Sequence, residues 1–320
     1  ITIITNLCNL ISEDFEKLNH NYPSVITVGT FDGIHLGHQQ LIKKVIQISK
    51  EEHLKSIVLT FDPHPRSVLE NSKNISLLNT FQEKENILIP FGLDFLVKKK
   101  FTAEFSKMSS IDFVKNILID GLNLKHLVIG HDHHFGRNRT ANITQLMEYS
   151  KLYHFKVTQV DAFKLNSISV SSTKIRNLIK EGNIDQANRF LGYNMFLSGR
   201  VVAGKGRGKK MGFPTANILL EKLKIKPGNG VYLISSKYAG IKIYGMMNIG
   251  KNPTFDDKSP SIEVHFFDFD QKIYDKNIQM QIITRIRNEI KFSGSDELSN
   301  QLIEDKKKCI EFISRNKKSP

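Results

Sequence analysis

The chain has 320 residues, of which 40% are hydrophobic and 24% charged, and its formal net charge is +14. This composition is typical of a globular protein with a buried core, and the length favours two domains over one. No stretch reaches the roughly 18 consecutive apolar residues of a membrane span, and the first residues lack the basic and apolar regions of a signal peptide. We therefore expect a cytoplasmic protein with no membrane partner.

The positive charge is spread along the chain. Runs of three lysines at 98–100 and 306–308 are interpreted as solvated faces, and no segment interleaves basic with aromatic residues as single-strand binders do. We expect no nucleic-acid partner, although general basicity assists any anionic substrate. The two cysteines, Cys8 and Cys309, lie far apart in the sequence and suit a reducing compartment.

Short apolar runs alternate with helical patterns through the first half. Strands are predicted at 24–29, 56–61, 125–130 and 155–163, and helices at 39–50, 106–122 and 140–153. This alternation indicates a parallel sheet, whose ligand lies beyond the carboxyl ends of the strands. Three polar loops, GTFDG, FDPHP and GHDHHFG, follow predicted strands directly. We expect these loops to form one site.

The second half is β-rich from Phe196 onward. Strands are predicted at 196–203, 229–236, 241–250, 261–269 and 277–286, followed by a helix over 295–313. Short strands separated by Gly, Pro and Asn indicate a small antiparallel barrel or sandwich. We place the first domain at 1–186 and the second at 187–320.

Two histidines, His35 and His38, stand three residues apart where the first predicted helix begins. A metal site, a phosphate site and no site at all are open from the spacing alone. Zinc is disfavoured because no Cys or Glu stands at the usual spacing. Phosphate is favoured because a helix N-terminus offers free N–H groups, and Gly37 allows close approach to the backbone.

The first half resembles the HxGH nucleotidyltransferases. GTFDGIHLGHQQLI (29–42) is similar to their first motif, and VSSTKIR (170–176) to their second. LTFDPHP (59–65) and GHDHHFG (130–136) further resemble the FMN adenylyltransferase module of bacterial bifunctional riboflavin kinase/FAD synthetases. The resemblance implies a Rossmann-like sheet on which the FMN phosphate attacks the α-phosphorus of ATP and pyrophosphate leaves.

The resemblance also implies residue roles in this first domain. His35 and His38 would stabilise charge during the reaction. The ATP and its phosphates would be bound by Gly29, Phe31, Gly37, Ser171, Ser172, Thr173 and Arg176, and the flavin by Asp132, Phe61 and His64. The histidines around Asp132 could be mistaken for a metal cluster, which we disfavour because a fourth ligand is missing.

MGFPTANI (211–218) resembles the PTAN motif of riboflavin kinases. The resemblance implies that Thr215 and Asn217 hold Mg²⁺ and the ATP phosphates, under a glycine-rich loop containing Gly204 and Gly206. IEVHFFDF (262–269) resembles the segment that carries the general base, here Glu263, and Arg287 would contact the flavin. Strand alternation also directs Glu263 away from its apolar neighbours, as a carboxylate pointing into a site requires.

A Walker A loop is the competing interpretation of the glycine-rich stretch. Gly199, Gly204 and Lys205 fit its start, but Gly206 stands where the Mg²⁺-ligating hydroxyl belongs, so we reject it.

The leading hypothesis is a bifunctional transferase. It would convert riboflavin and ATP to FMN and ADP, and then FMN and ATP to FAD and pyrophosphate. A protein with only one live activity, and a basic nucleic-acid-binding or flavin-sensing protein on the same scaffold, are the alternatives. The sequence does not determine the oligomeric state.

Overall fold

The chain folds into two compact units, residues 1–172 and 173–320. The computed structural model describes residues 10–19, 21–69, 75–131, 143–204, 208, 211–250 and 261–317. The first unit ends at residue 172, earlier than the domain boundary at 186/187 that we placed from the sequence. That domain boundary stays a prediction. Within the described residues, none of the helices is long and apolar enough to cross a membrane.

The first unit is an α/β layer structure. Its strands are β1 (Ile11–Asp14), β2 (Ser24–Val28), β3 (Lys55–Asp62), β4 (Phe95–Lys100), β5 (Leu124–Gly130), β6 (Lys156–Val160) and the short pair β7 (Lys164–Leu165) and β8 (Ile168–Ser169). Its helices are α1 (Leu36–Glu51), α2 (Pro65–Leu69), α3 (Phe81–Leu88), α4 (Ser110–Asp112), which continues as a π-helical stretch (Phe113–Ile119), and α5 (Ile143–Tyr153).

Six strands form one parallel sheet in the order β1-β4-β3-β2-β5-β6, which confirms the predicted sheet. The central strand β2 is buried along its whole length. Helix α1 packs on one face of the sheet, and the π-helical stretch with α5 packs on the other. The strand order reverses at β2, because β3 lies on one side of it and β5 on the other. A ligand crevice is expected at the carboxyl ends of such strands.

The lysine run 98–100 lies at the end of β4, a strand that the sequence analysis missed. Lys99 Nζ lies 2.7 Å from Glu16 Oε1 and 4.4 Å from the centre of the Phe15 ring, and its side chain is only 14% exposed. Lys98 Nζ pairs with Asp14 Oδ1 at 3.0 Å. The interpretation of this run as a solvated face is therefore wrong for both lysines, because β1 and the turn after it cover them.

The second unit is a barrel with one long helix. Its helices are α6 (Ser172–Glu181), whose first residue still belongs to the first unit, α7 (Ile184–Leu191) and α8 (Ser295–Lys317). Its strands are β9 (Phe196–Val202), β10 (Ala216–Leu220), β11 (Gly230–Tyr238), β12 (Ile241–Gly250), β13 (Ser261–Phe266) and β14 (Asn277–Asn288). The strands close in the order β10-β13-β12-β11-β14-β9 with antiparallel pairing throughout. This confirms the predicted antiparallel barrel with a C-terminal helix.

Helix α8 covers part of the outer surface of the barrel. Its Cys309 packs with Val231, Leu233 and Met246. Burial raises the pKa of the Cys309 thiol to about 12, so this cysteine is an inert packing residue. Along the same strands the intervening residues, such as Tyr232 and Met247, are fully buried and fill the barrel interior.

A buried ion pair ties α8 to the barrel. Asp305 on α8 is completely buried and receives Arg287 Nε at 2.9 Å and Arg287 Nη2 at 2.9 Å. Gln301 Nε2 also donates to Asp305 at 2.9 Å. The geometry gives Arg287 a structural role as the anchor of α8. Its flavin contact stays a prediction from sequence.

Asp305→Asn tests this anchor. The substitution should lower the free energy of unfolding by about 3 kcal/mol, because it removes the carboxylate with which the Arg287 cation pairs. Urea denaturation followed by circular dichroism measures the change. The control is Glu311→Gln, which breaks an exposed 3.9 Å pair with Arg315 on the same helix and should cost under about 1 kcal/mol. Equal effects of the two variants would contradict the anchoring role.

Candidate active sites

The first site is a turn between β2 and α1 at the carboxyl edge of the sheet. His35 is the N-cap of α1, with φ −66° and ψ 171°, and its Nδ1 accepts the backbone N–H of His38 at 3.3 Å. Because Nδ1 is an acceptor, the proton of a neutral His35 ring is on Nε2. The sequence thus places two imidazoles at a helix N-terminus, where an anion is favoured.

The two imidazoles stack on each other. Their ring centres are 3.7 Å apart with an interplanar angle of 15°, and the Phe31 ring meets His38 edge-on at 5.2 Å. Burial, then the charges of His35 and Lys84, hold the pKa of His38 well below its usual range. His38 is therefore a neutral ring with one nitrogen, Nδ1, that lacks a hydrogen-bond partner among the described residues.

Three segments from elsewhere in the chain hold this turn. The Asp32 carboxylate, 1% exposed, accepts the backbone N–H groups of Leu78 at 3.0 Å and Asn79 at 3.1 Å. Lys84 Nζ donates to the carbonyl of Thr30 at 2.8 Å. Ser172 Oγ donates to the backbone carbonyl of Asp32 at 2.8 Å. The last bond joins the start of the second motif to the first.

Two glycines that the sequence analysis assigned to the ATP site, Gly29 and Gly37, leave space for the aromatic rings beside them. A Cβ at Gly37 would stand 3.3 Å from the His35 ring, and a Cβ at Gly29 would stand 3.2 Å from the Phe31 ring. Both spacings are tighter than ordinary contact, so a larger residue would displace the aromatic groups that define the site.

The second phosphate motif starts helix α6. Ser171 directly precedes the helix and Ser172 is its first residue. Thr173 and Arg176 follow on the same helix, which continues into the second compact unit. Their phosphate roles stay predictions.

Two predicted flavin contacts of the first unit have other neighbours. Phe61 packs in an aromatic cluster with Phe101 and Phe105, at 5.6 and 5.9 Å between ring centres. His64 Nδ1 accepts the backbone N–H of Arg66 at 3.2 Å and so shapes its own loop. The third contact, Asp132, lies outside the described residues, as does Gly206 of the second unit.

The second site is a row of polar side chains across three barrel strands. Asn217 on β10 pairs in register with Glu263 on β13, and Glu263 pairs with Asn248 on β12. Opposite residues of antiparallel strands point to the same side. Their neighbours Ile262 and Val264 are buried, so the row lies on the outer face of the barrel, as the alternation predicted for Glu263.

Two further contacts involve the residues around this row. His265 Nδ1 lies 2.9 Å from the carbonyl of Pro214, directly before Thr215. Burial lowers the pKa of His265, which keeps the ring neutral. A Cβ at Gly204 would overlap the amide of Asn217, so the backbone at Gly204 lies directly against that side chain.

Sequence reasoning missed three polar residues of these sites. Asp32 and Lys84 contact partners more than 45 positions away, and no local pattern announces such contacts. Asn248 is exposed between two buried residues, and this alternation was the available signal.

Among the described residues, no group of three or more His, Cys, Asp or Glu could hold a metal ion.

Comparison with known proteins matches each unit to a family. The family model described as FAD synthetase matches residues 17–174, and the one described as riboflavin kinase matches residues 191–313. A bifunctional riboflavin kinase/FMN adenylyltransferase from Bacillus subtilis is 36% identical and covers 98% of each chain. One of the same name from Listeria monocytogenes is 38% identical over 91% of this chain and 93% of its own.

A solved structure from Streptococcus pneumoniae, described as a macrolide-efflux protein, shares this fold. Its TM-score is 0.85 at 31% identity, over 93% of this chain and 98% of that one.

The fold and the two sites define a two-unit transferase: an HxGH-type α/β unit followed by a flavokinase barrel. The chain belongs to the bifunctional riboflavin kinase/FMN adenylyltransferase family.

The depressed pKa of His38 makes folding depend on pH. The folded state resists protonation at His38, whereas the unfolded chain binds a proton near pH 6.5. Stability is therefore present above pH 6.5 and is lost as pH falls below it, by at most about 1.4 kcal/mol per pH unit.

His38→Phe should flatten this dependence. We expect a smaller drop in the thermal unfolding midpoint between pH 7.5 and pH 5.5, measured by calorimetry. His154→Asn, which replaces an exposed histidine, should leave the wild-type drop unchanged. A wild-type drop in His38→Phe would contradict a neutral, buried His38.

Proposed function

We propose that this chain makes FMN from riboflavin and ATP, and FAD from FMN and a second ATP. The observation that carries the proposal is that each compact unit has its own polar site where its fold binds ligands. The stacked histidines lie at the strand-order reversal of the sheet, and the Asn217–Glu263 pair lies on the barrel. Each unit is also matched by the corresponding family model.

The barrel is proposed to phosphorylate riboflavin. Glu263 accepts the proton of the primary hydroxyl, the hydroxyl oxygen bonds to the γ-phosphorus, and the bond from that phosphorus to the bridging oxygen breaks, releasing ADP. Glu263 is half-buried and lies one strand away from Asn217. A base beside a phosphate-binding residue is the arrangement that this transfer needs.

Thr215 and Asn217 are proposed to hold Mg²⁺. Their hydroxyl and amide oxygens are hard donors, which Mg²⁺ prefers, and the absence of a Cβ at Gly204 leaves room for the Asn217 amide. The ion would supply charge neutralisation on the ATP phosphates.

The α/β unit is proposed to adenylylate FMN. An FMN phosphate oxygen bonds to the α-phosphorus of ATP and the bond to the bridging oxygen breaks, releasing pyrophosphate. His35 presents Nε2–H and His38 presents a neutral ring, so both can donate to oxygens that gain negative charge. Ser171, Ser172, Thr173 and Arg176 are proposed to anchor the leaving phosphates, Arg176 by bidentate contact.

A cytoplasmic location stays a prediction from sequence.

The direct test is incubation with riboflavin, ATP and Mg²⁺, followed by chromatographic separation of the flavins. FMN should appear first and FAD later. Absence of both products would refute the proposal, and FMN without FAD would leave only a riboflavin kinase.

Glu263→Gln separates the two activities. The variant keeps the size of the side chain and removes the base, so FMN formation should fall by about 100-fold or more. Conversion of supplied FMN to FAD, measured on the same preparation, is the control and should be unchanged. Loss of both activities would contradict separate sites.

His38→Ala should have the opposite effect. Removing the donor should lower FAD formation from supplied FMN by about 100-fold, with FMN formation from riboflavin kept at the wild-type rate. A wild-type rate of FAD synthesis in this variant would refute the phosphate role of the histidine pair.

A further inference from the structure

Lys84 is a buried amine that neither phosphate motif includes. It lies on α3 and is only 6% exposed, and its Nζ donates to the carbonyl of Thr30 at 2.8 Å. Thr30 belongs to the turn that leads from β2 to the histidine pair. A buried lysine is costly to maintain, so its position requires a compensating role.

The turn that Lys84 holds has an unfavourable backbone. Phe31 has φ +44° and Ile34 has φ +34°, a region that residues with a Cβ rarely adopt. Such conformations persist only where the surroundings fix them, and they concentrate at functional sites. The carbonyl of Thr30 receives two donors, Lys84 Nζ and the hydroxyl of the fully buried Thr60 at 3.2 Å. Together they fix the first peptide of the turn.

Several titratable groups surround the Lys84 ammonium. Burial lowers its pKa, and the carboxylates of Asp32 and Asp62 act against that effect. At the start of α1, the titratable groups are the rings of His35 and His38. The positive charge of Lys84 disfavours protonation of His38 and so lowers its pKa. On α3 itself, Glu83 is engaged in the capping box with Thr80.

We propose that Lys84 is a positioning residue for adenylyl transfer, whose ammonium holds the carbonyl of Thr30 so that the turn presents the stacked histidines to the substrate phosphates. This inference rests on the proposed function of the α/β unit. Burial is the main cause of the lowered pKa of His38, and the Lys84 charge adds to it, so the neutral ring can present both a donor and an acceptor.

Lys84→Met removes the ammonium and keeps most of the side-chain volume. Thr60→Val removes the other donor to Thr30 without changing any charge. Lys43→Met is the matched control, because it deletes an exposed lysine of α1. For each variant we would measure FAD formation from supplied FMN, FMN formation from riboflavin, the thermal unfolding midpoint, and the titration of His38 by NMR.

In Lys84→Met, kcat for FAD formation should fall about tenfold or more, because reacting groups lose their alignment. The NMR midpoint of His38 should rise, since a neighbouring positive charge is gone. In Thr60→Val, kcat should fall less and the His38 midpoint should not move. Lys43→Met should match the wild type in every measurement, and FMN formation should be unchanged in all three variants.

A wild-type kcat in Lys84→Met would overturn the proposal. A lowered unfolding midpoint without any shift of the His38 titration would also overturn it, because that pattern indicates a loss of packing alone. If Lys84→Met does not fold, Thr60→Val decides the anchoring role, and a wild-type kcat there overturns it. Failure of the proposed function itself is distinguishable, because the wild-type chain would then make no FAD in the same assay.

Discussion

The buried carboxylate of Asp32 is the constraint on which the first site depends. A carboxylate removed from water must be supplied with hydrogen-bond donors, and here the donors are backbone N–H groups of Leu78 and Asn79. Because backbone donors cannot rotate away, they fix where the segment before α3 meets the turn after β2. The backbone carbonyl of the same residue receives Ser172. One residue therefore joins three distant parts of the first unit around the histidine pair.

The barrel has its own constraint, which is strand register. The side chains of a strand alternate between two sides, so a slip of one residue would turn Glu263 into the barrel interior and Ile262 outward. The buried strand residues prevent that slip. Helix α8, anchored through Arg287 and Asp305, covers the apolar part of the outer surface. The polar row of Asn217, Glu263 and Asn248 lies on that same outer side.

The sequence predicts the fold well where burial dictates the residue pattern. Strands β2, β3 and β5 are covered on both faces, so they show as short runs rich in apolar residues. Strand β4 was missed because it ends in lysines, and its pairing with β1 could be seen only in three dimensions. Strand β10 was missed because the PTAN motif that enters it contains Pro and Asn, which are depleted in strands.

The sites were predictable only to the extent that they are local. His35, His38 and Gly37 lie close together in the sequence, and their position between a predicted strand and a predicted helix indicated a helix N-terminus. Glu263 could be oriented because alternation along a strand is local too. The contacts of Lys84 and Arg287 are not local, since each depends on a partner from a different element. For Arg287 the family resemblance implies a flavin contact, which stays a prediction, and the structure adds a buried carboxylate partner on another element.

The two sites use different chemistry on the same co-substrate, and this explains why they need different groups. Attack at the γ-phosphorus by a neutral alcohol requires a base to take the proton, which a half-buried carboxylate on a barrel strand can do. Attack at the α-phosphorus by an FMN phosphate involves an anion that needs no such base. What that reaction needs is donors at the oxygens that gain charge, placed before the substrate arrives. The stacked imidazole pair at the helix N-terminus is proposed to meet that need, and the Lys84 charge adds to burial in keeping His38 neutral.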